Sequence, residues 1–300
     1  MSNTAKWMLG IGVVLLFFFG IFALLTLNWL FSEPHDETSS TSGEKIAVVE
    51  LNDVIFSSED IVRQFKKYRE NKSVRAIVFR VNSPGGGVAA SQEIYEEVKK
   101  TRESMKPVVV SMGEVAASGG YYVSIGANKI VANPGTLTGS IGVIIQYLQA
   151  DELMKKIGLE AQTYKSGRLK DIGSPFRKST EDEKKFFDQL IANVYEQFLE
   201  AVMEERKLER TAALRYADGR VFTGQQAVAY GFVDTLGTFE DAIAIAAEMG
   251  GIDGKPRIIK ERKVRPFFER FMGERVSELA SLKSELLNQP IVQYRMRTPF

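Results

Sequence analysis

The sequence predicts an α/β domain behind an apolar N-terminal segment. Three observations carry this. Short β-branched runs alternate with longer stretches of helical periodicity, Gly-rich turns follow the strands, and the first 31 residues contain one long uncharged run. In chain order, Ile46–Leu51 reads as a buried strand. Ser58 is then placed to cap a helix reaching Glu70, with Ile61, Val62 and Phe65 on its inner face. Arg75–Val81 is a second strand, broken by Asn82-Ser83-Pro84-Gly85-Gly86-Gly87, and a helix follows over Val88–Glu103. Pro107–Met112 is a third strand, and a helix opens near Ser118. Lys129–Ala132, Val143–Tyr147 and Glu160–Tyr164 read as short strands. Ser179 or Thr180 caps a long helix to Arg206, striped by Phe187, Leu190, Ile191, Val194 and Phe198. Two more helices and a strand near Arg257–Ile259 close the domain. Residues 266–287 are again helical in pattern, and Asn288–Phe300 shows no strong pattern.

Composition narrows the chemistry. Of 300 residues, 44% are hydrophobic and 26% charged, the balance of a globular chain. There is no Cys and a single His, at position 35. Disulfides, thiol nucleophiles and Cys-ligated zinc are excluded, and multi-His metal sites with them. His35 lies in a Ser/Thr/Glu-rich stretch that reads as a tether, a poor place for a catalyst. A serine nucleophile here would need a base other than histidine.

From Trp7 to Phe31 no residue is charged. As a helix this run spans roughly 37 Å, more than the ~30 Å of a bilayer core. Its end, Asn28-Trp29-Leu30-Phe31, is bulky and aromatic, which fits an interfacial anchor better than a cleavage site. Residues 1–31 are therefore expected to hold a single-pass transmembrane helix and 32–44 a flexible linker. Lys6 before the run places the N-terminus in the cytoplasm and the rest outside the cytoplasmic membrane. Residues 1–43 carry net charge −2, residues 255–300 net +6, and the central 44–254 net −3. Nucleic acid is not an expected partner of such a central domain.

Two Gly-rich stretches each follow a strand and open a helix, where backbone N–H groups meet ligands in α/β folds: Pro84–Gly87 and Ala116–Gly120. Neither has the spacing of a phosphate loop, and no cofactor is implied. Ser118, at a helix start and followed by Gly119, fits either an N-cap or an acyl-transfer nucleophile, and the local sequence leaves both open.

Several motifs in series resemble one family. They are Asn82–Gly87, Ala117-Ser118-Gly119-Gly120-Tyr121-Tyr122, Thr138-Gly139-Ser140-Ile141-Gly142, and Lys165-Ser166-Gly167 through Lys170-Asp171 to Ser174-Pro175. Gly219–Ala227 and Gly231-Phe232-Val233-Asp234 continue the match, which runs from about Lys45 to Gly250. In this order they resemble the signal peptide peptidase A family. The resemblance implies a ClpP/crotonase-like spiral of ββα units over 45–254; charge and periodicity give residues 255–300 as a basic strand, amphipathic helix and tail. It implies a membrane-anchored serine endopeptidase, independent of ATP, that degrades remnant signal peptides or other short extended peptides. It further implies Ser118 as nucleophile, Lys170 as general base and Ser140 orienting the lysine amine. The N–H groups of Gly86 or Gly85 and of Gly119 would form the oxyanion hole, with Ser83 and Tyr121 near substrate. A homo-oligomeric ring or dome follows from the same resemblance.

A solvated lysine is protonated at neutral pH, so such a dyad requires a desolvated Lys170 and an Asp171 carboxylate turned elsewhere. Lys165 and Arg168 are expected to face solvent, and Ser166 and Ser174 to line the pocket or shape the loop. An extended tail at 288–300 could reach a neighbouring active site. Three other readings remain: a same-fold peptidase acting on a membrane protein partner, a crotonase-like acyl-thioester enzyme, and a non-catalytic scaffold.

Overall fold

The computed structural model describes residues 44–261 and 292–296, together with Trp7, Gly12 and residues 14–24. The chain divides into two compact units between residues 42 and 43. In the first, residues 14–24 are helical. Among the described residues no helix is long and apolar enough to cross a membrane. Most of the linker, residues 8–11, 13 and 25–31 of the apolar run, and the helix expected over 266–287 lie outside the described residues.

The second unit is built on parallel strands. β1 (Lys45–Asn52), β2 (Val74–Ser83), β4 (Val108–Ala117), β5 (Lys129–Ala132), β9 (Thr235–Leu236) and β10 (Arg257–Lys260) form the sheet in the order β10-β1-β2-β4-β5-β9. Side chains alternate across it. From β1, Ile46 and Val48 join Val78, Val109 and Val131 under Ala242, Ile243 and Ala246 of a helix over Phe239–Met249. Ala47, Val49 and Leu51 face the other way, into the larger core with Phe65, Ile94, Val98 and Phe198. These come from α1 (Glu59–Glu70), α2 (Val88–Glu103) and α5 (Glu181–Arg206). Between α2 and α5 the chain forms two short helices, α3 (Gly119–Ser124) after β4 and α4 (Asp151–Lys156) before the loop that leads to α5. Burial on both faces explains why the strands read as continuous apolar runs.

β4 is longer than its apolar run predicts, and its two halves have different neighbours. Val109–Ser111 pair with β5, whereas Val115–Ala117 pair with β6 (Leu137–Gly139). β6 in turn pairs antiparallel with β8 (Val221–Thr223). The sheet thus branches toward the C-terminal end of β4, the end that leads into Ser118. A second, three-stranded sheet lies close to Gly119, the next residue: β3 (Gly85–Gly87), β11 (Val292–Arg295) and β7 (Ile144–Ile145), in the order β3-β11-β7.

Several expectations change in detail. Ser58 stands at the N-cap of α1 but makes no capping bond, its hydroxyl donating instead to Glu93. Thr180, rather than Ser179, caps α5 through a reciprocal box with Glu183. Glu160–Tyr164 forms no strand: it is exposed and offers no sheet partner for its backbone. The stripe on α5 is buried only in its second half, where Val194 and Phe198 enter the core; Phe187, Leu190 and Ile191 are half-buried.

Candidate active site

Ser118 sits between the end of β4 and the short helix α3. Its φ of 54° and ψ of −116° are unusual for a non-glycine residue. Such a conformation costs on the order of 1–3 kcal/mol and persists only where the surroundings enforce it. They do so through the main chain. Ser118 N donates to Gly139 O at 2.7 Å, and Tyr122 N donates to Ser118 O at 2.8 Å. The side chain does not cap α3. Its Oγ is buried and, among the described residues, has no hydrogen-bond partner. Capping is therefore not its role, and a buried hydroxyl without a partner fits a nucleophile awaiting its base.

The glycines of β3 approach the same point. Ile55 N donates to Gly85 O at 2.9 Å, and Gly87 N donates to Ile55 O at 2.8 Å. Gly85 N donates to Ser83 Oγ at 3.1 Å. Two of the three glycine amides are thus spent, and Gly86 N–H faces the opposite edge. Of the two oxyanion candidates in this loop, Gly86 is the one whose N–H is not used within the loop; it faces Tyr294 of a strand over Val292–Arg295. Ser83 is wholly buried and supports Gly85, so the expected substrate contact is replaced by a turn-stabilising bond. Gly85 has φ +97°, and a Cβ there would lie 2.0 Å from Tyr294 O and 2.6 Å from Gly119 N. A Cβ on Gly119 would lie 2.7 Å from Ser91 Oγ and 3.1 Å from Tyr294 O. Gly85, Gly119 and the carbonyl of Tyr294 therefore converge in a space no side chain can share.

Tyr121 does not reach this space. It is fully buried, and its hydroxyl donates to Phe232 O at 2.9 Å, which makes it a core residue. Ser140 stands at the end of β6, the strand that pairs with the end of β4. It follows Gly139 as Ser118 follows the paired Ala117, it is buried, and it too has a positive φ, 52°.

Lys170 is exposed, in a turn-rich loop that leads to α5. No hydrogen bond joins its amine to Ser118 Oγ. The expectation for its neighbour holds. Asp171 accepts from Lys165 Nζ at 2.6 Å and from Arg177 Nε and Nη2 at 2.7 and 2.8 Å, leaving its carboxylate engaged with these two cations. Lys165 is exposed, and its ammonium is paired with Asp171. Arg168 is exposed and pairs with Asp182. Ser174 Oγ accepts from Phe176 N at 3.3 Å and shapes the loop, while Ser166 is exposed. Among the described residues no cluster of acidic or His side chains could hold a metal ion. A groove of about 830 Å³ between Phe239, Ile243, Ala247, Pro256 and Ile258 contains none of the expected site residues.

The loop has a built-in acid limit. Arg177 first, then the backbone N–H of Thr180, holds the Glu183 carboxyl down at about 2. Arg177 and then Lys165 hold Asp171 well below the usual carboxylate range. A depressed carboxylate stabilises the fold above its unfolded pKa and loses that contribution as pH falls through the folded value. For Glu183 the window runs from its ordinary 4.5 down to about 2. Cleavage by pepsin within residues 165–180, measured relative to an unstructured peptide substrate at the same pH, is expected to be slow at pH 4.5 and to accelerate progressively toward pH 2. A flat cleavage rate across that window would contradict this.

Comparison with known proteins places this geometry. The Clp protease profile matches residues 43–137, the stretch carrying β1 to β4 and Ser118. The Peptidase family S49 profile matches residues 100–253. The class is thus a serine peptidase on a ClpP-like α/β fold. A putative signal peptide peptidase SppA of Enterococcus faecium is 34% identical, over 87% of this chain and 81% of its own. The putative protease slr0021 of Synechocystis is 42% identical, over 78% of this chain and 85% of its own. Among solved structures, a point mutant of ClpP1 from Listeria monocytogenes is 18% identical, with a TM-score of 0.45 over 65% of this chain and 94% of its own. The chain belongs to peptidase family S49, the signal peptide peptidase A family.

The sequence reading missed β11. Val292, Tyr294 and Met296 alternate with polar Gln293 and Arg295, a period-2 pattern that marks a strand. The reach of the tail is also different from the expectation. It lies on the glycines of its own chain.

Proposed function

We propose that this chain is a membrane-anchored serine endopeptidase whose Ser118 is activated by Lys170 of a neighbouring copy. The observation that carries the reading is the buried, partnerless Oγ of Ser118 at a strained strand-to-helix turn. Lys170 stands outward on a segment whose apolar side chains also stand outward: Leu148, Leu153, Ile157, Leu159, Tyr164 and Phe176 are all exposed. A second copy seated there would cover this surface and take the amine out of water, which favours its neutral, basic form.

The amine then removes the Oγ proton as Oγ bonds to the peptide carbonyl carbon. The oxygen that becomes negative meets the N–H groups of Gly86 and Gly119. The lysine returns its proton to the departing amine, leaving an acyl-serine that water hydrolyses by the same route in reverse. Ser140 orients the lysine amine. Substrates are short extended peptides, remnant signal peptides among them, which add to strand edges by main-chain pairing. The apolar run from Trp7 to Phe31 anchors the chain in the cytoplasmic membrane, with its N-terminus in the cytoplasm and the peptidase domain outside.

Complementation tests the shared site. Ser118→Ala and Lys170→Ala chains are each expected to be inactive. In a mixed oligomer of equal parts, a junction has one intact Ser118 facing one intact Lys170 in about a quarter of cases, so about a quarter of full activity should return. Mixed assembly, verified by mass, with no recovered activity would overturn the shared dyad.

A further inference from the structure

Lys170 is followed in the chain by a carboxylate, the wrong neighbour for a lysine that serves as a base. An opposite charge within about 4–6 Å favours the ammonium form, whereas proton abstraction needs the free amine. One side chain of the same loop, Arg177, resolves the conflict. Its Nε and Nη2 donate to the two carboxylate oxygens of Asp171 at 2.7 and 2.8 Å, and Nη2 also donates to the main-chain O of Asp171 at 3.2 Å. The same guanidinium donates from Nη1 to Glu183 Oε2 at 2.9 Å. Glu183 is buried in the first turn of α5, where Oε2 also accepts from Thr180 N at 2.9 Å. Arg177 thus ties the residue after Lys170, by main chain and side chain, to the root of a 26-residue helix.

A planar fork suits this task and an ammonium does not. Arginine bonds two carboxylates at once in fixed directions, while lysine is a point charge on a flexible stem. Lys165 adds a bond to Asp171 Oδ1 at 2.6 Å, but its other bond goes to Arg168 O in the same loop and not to a helix. The charges that flank the cluster are paired with one another. From α5, Asp182 pairs with Arg168 and Glu181 with Lys184; from α4, Glu152 pairs with Lys178. Lys170 belongs to none of these pairs.

Resting on the reading of Lys170 as general base, we infer that Arg177 is the positioning residue of the lysine loop. It holds the Asp171 carboxylate on α5 and away from the Lys170 amine. The amine then reaches Ser118 of the neighbouring copy without a competing counter-ion.

The test is the pH profile of kcat/KM for the full-length oligomer. The substrate is rhodamine-labelled casein, an extended chain, at concentrations well below KM and over about pH 6 to 10. On the acid side kcat/KM falls as the base of the free enzyme takes up its proton. Arg177→Met releases Asp171, and the acid limb is expected to move up by about one pH unit or more. That displacement costs about tenfold in kcat/KM at a pH below the limb. Adding Asp171→Asn to Arg177→Met should return the limb to its parent position or below, while the loosened loop keeps the plateau low. An arginine that only stabilised the loop would lower the plateau in both variants and move the limb in neither.

A limb unmoved by Arg177→Met, or still displaced in the double variant, overturns the inference. If Arg177→Met disturbs the fold, Arg177→Lys takes its place, since it keeps a charge but loses the fork. A smaller upward displacement must then appear, and must vanish when Asp171→Asn is added. Lys170→Ala separates this inference from the choice of base. Hydrolysis lost in Lys170→Ala, together with a limb indifferent to Arg177, removes the role of Arg177 alone. Hydrolysis kept in Lys170→Ala removes the base, and this inference with it.

Discussion

Ser118→Ala is expected to abolish peptide hydrolysis while leaving the protein as stable as before, or more so. The two effects have separate causes. Loss of the only proposed nucleophile costs at least about 10³-fold in turnover, the residue of rate coming from oxyanion donors and binding alone. Stability of the unassembled chain moves the other way because, among the described residues of one chain, the buried Oγ has no partner. An unsatisfied buried polar group costs about 1–3 kcal/mol, and replacing it by hydrogen removes that cost. For a domain of this size each kcal/mol corresponds to about 2–4 °C in Tm. Thermal unfolding should therefore show an unchanged or raised midpoint, and Ser118→Gly should also relieve the φ of 54°. Hydrolysis surviving in purified Ser118→Ala protein would remove the assignment. A lowered Tm would mean that the hydroxyl is a structural bond donor after all.

The parts of the fold that could be read from the sequence are those where local pattern and global role coincide. Val88–Glu103 and Lys129–Ala132 match the expected bounds because each is ended by its own turn signals. The long strand β4 was readable only in its first half. Val115–Ala117 are held in the sheet by β6, a partner twenty residues away with no strand signal of its own. The expected strand at Glu160–Tyr164 fails for the opposite reason: its residues suit a strand, but no edge is offered to them.

The site divides in the same way. Ser118, Gly119, Gly85 and Gly86 are legible because their types are dictated by local geometry: positive φ, or a backbone contact that excludes Cβ. Ser83 and Tyr121 lie beside them in sequence but turn into the core, which adjacency cannot reveal. Lys170 carries no local signal, since a lysine in a polar turn resembles many others. Its reading rests on the family resemblance, and a single chain leaves it exposed. Tyr294 is the instructive omission. Its pocket is assembled from α2, α3 and α5, and its significance comes from Gly86, more than two hundred residues earlier.

Gly85→Ala should be nearly as damaging as loss of the nucleophile, although it deletes nothing. Its φ of +97° is disfavoured for any residue with a Cβ, and that Cβ would stand 2.0 Å from Tyr294 O and 2.6 Å from Gly119 N. Neither neighbour is a flexible side-chain end: both are main-chain atoms. Tyr294 can leave with its strand, so the tail should be expelled from the cleft. Gly119 cannot leave, because it opens α3 directly after Ser118, and its amide must shift. Displacing one oxyanion donor costs about 10²–10³-fold in kcat, which is the loss expected here. The Gly135→Ala variant is the matching control, since nothing lies within 4 Å of its added Cβ. Both variants should keep the circular dichroism of the parent chain, and only the first should lose activity. Because Gly85→Ala empties the cleft as well as moving the donor, KM and kcat separate its two effects. If relief of the tail outweighed the damaged amide, kcat/KM would rise, and the amide of Gly119 would have no part in the chemistry.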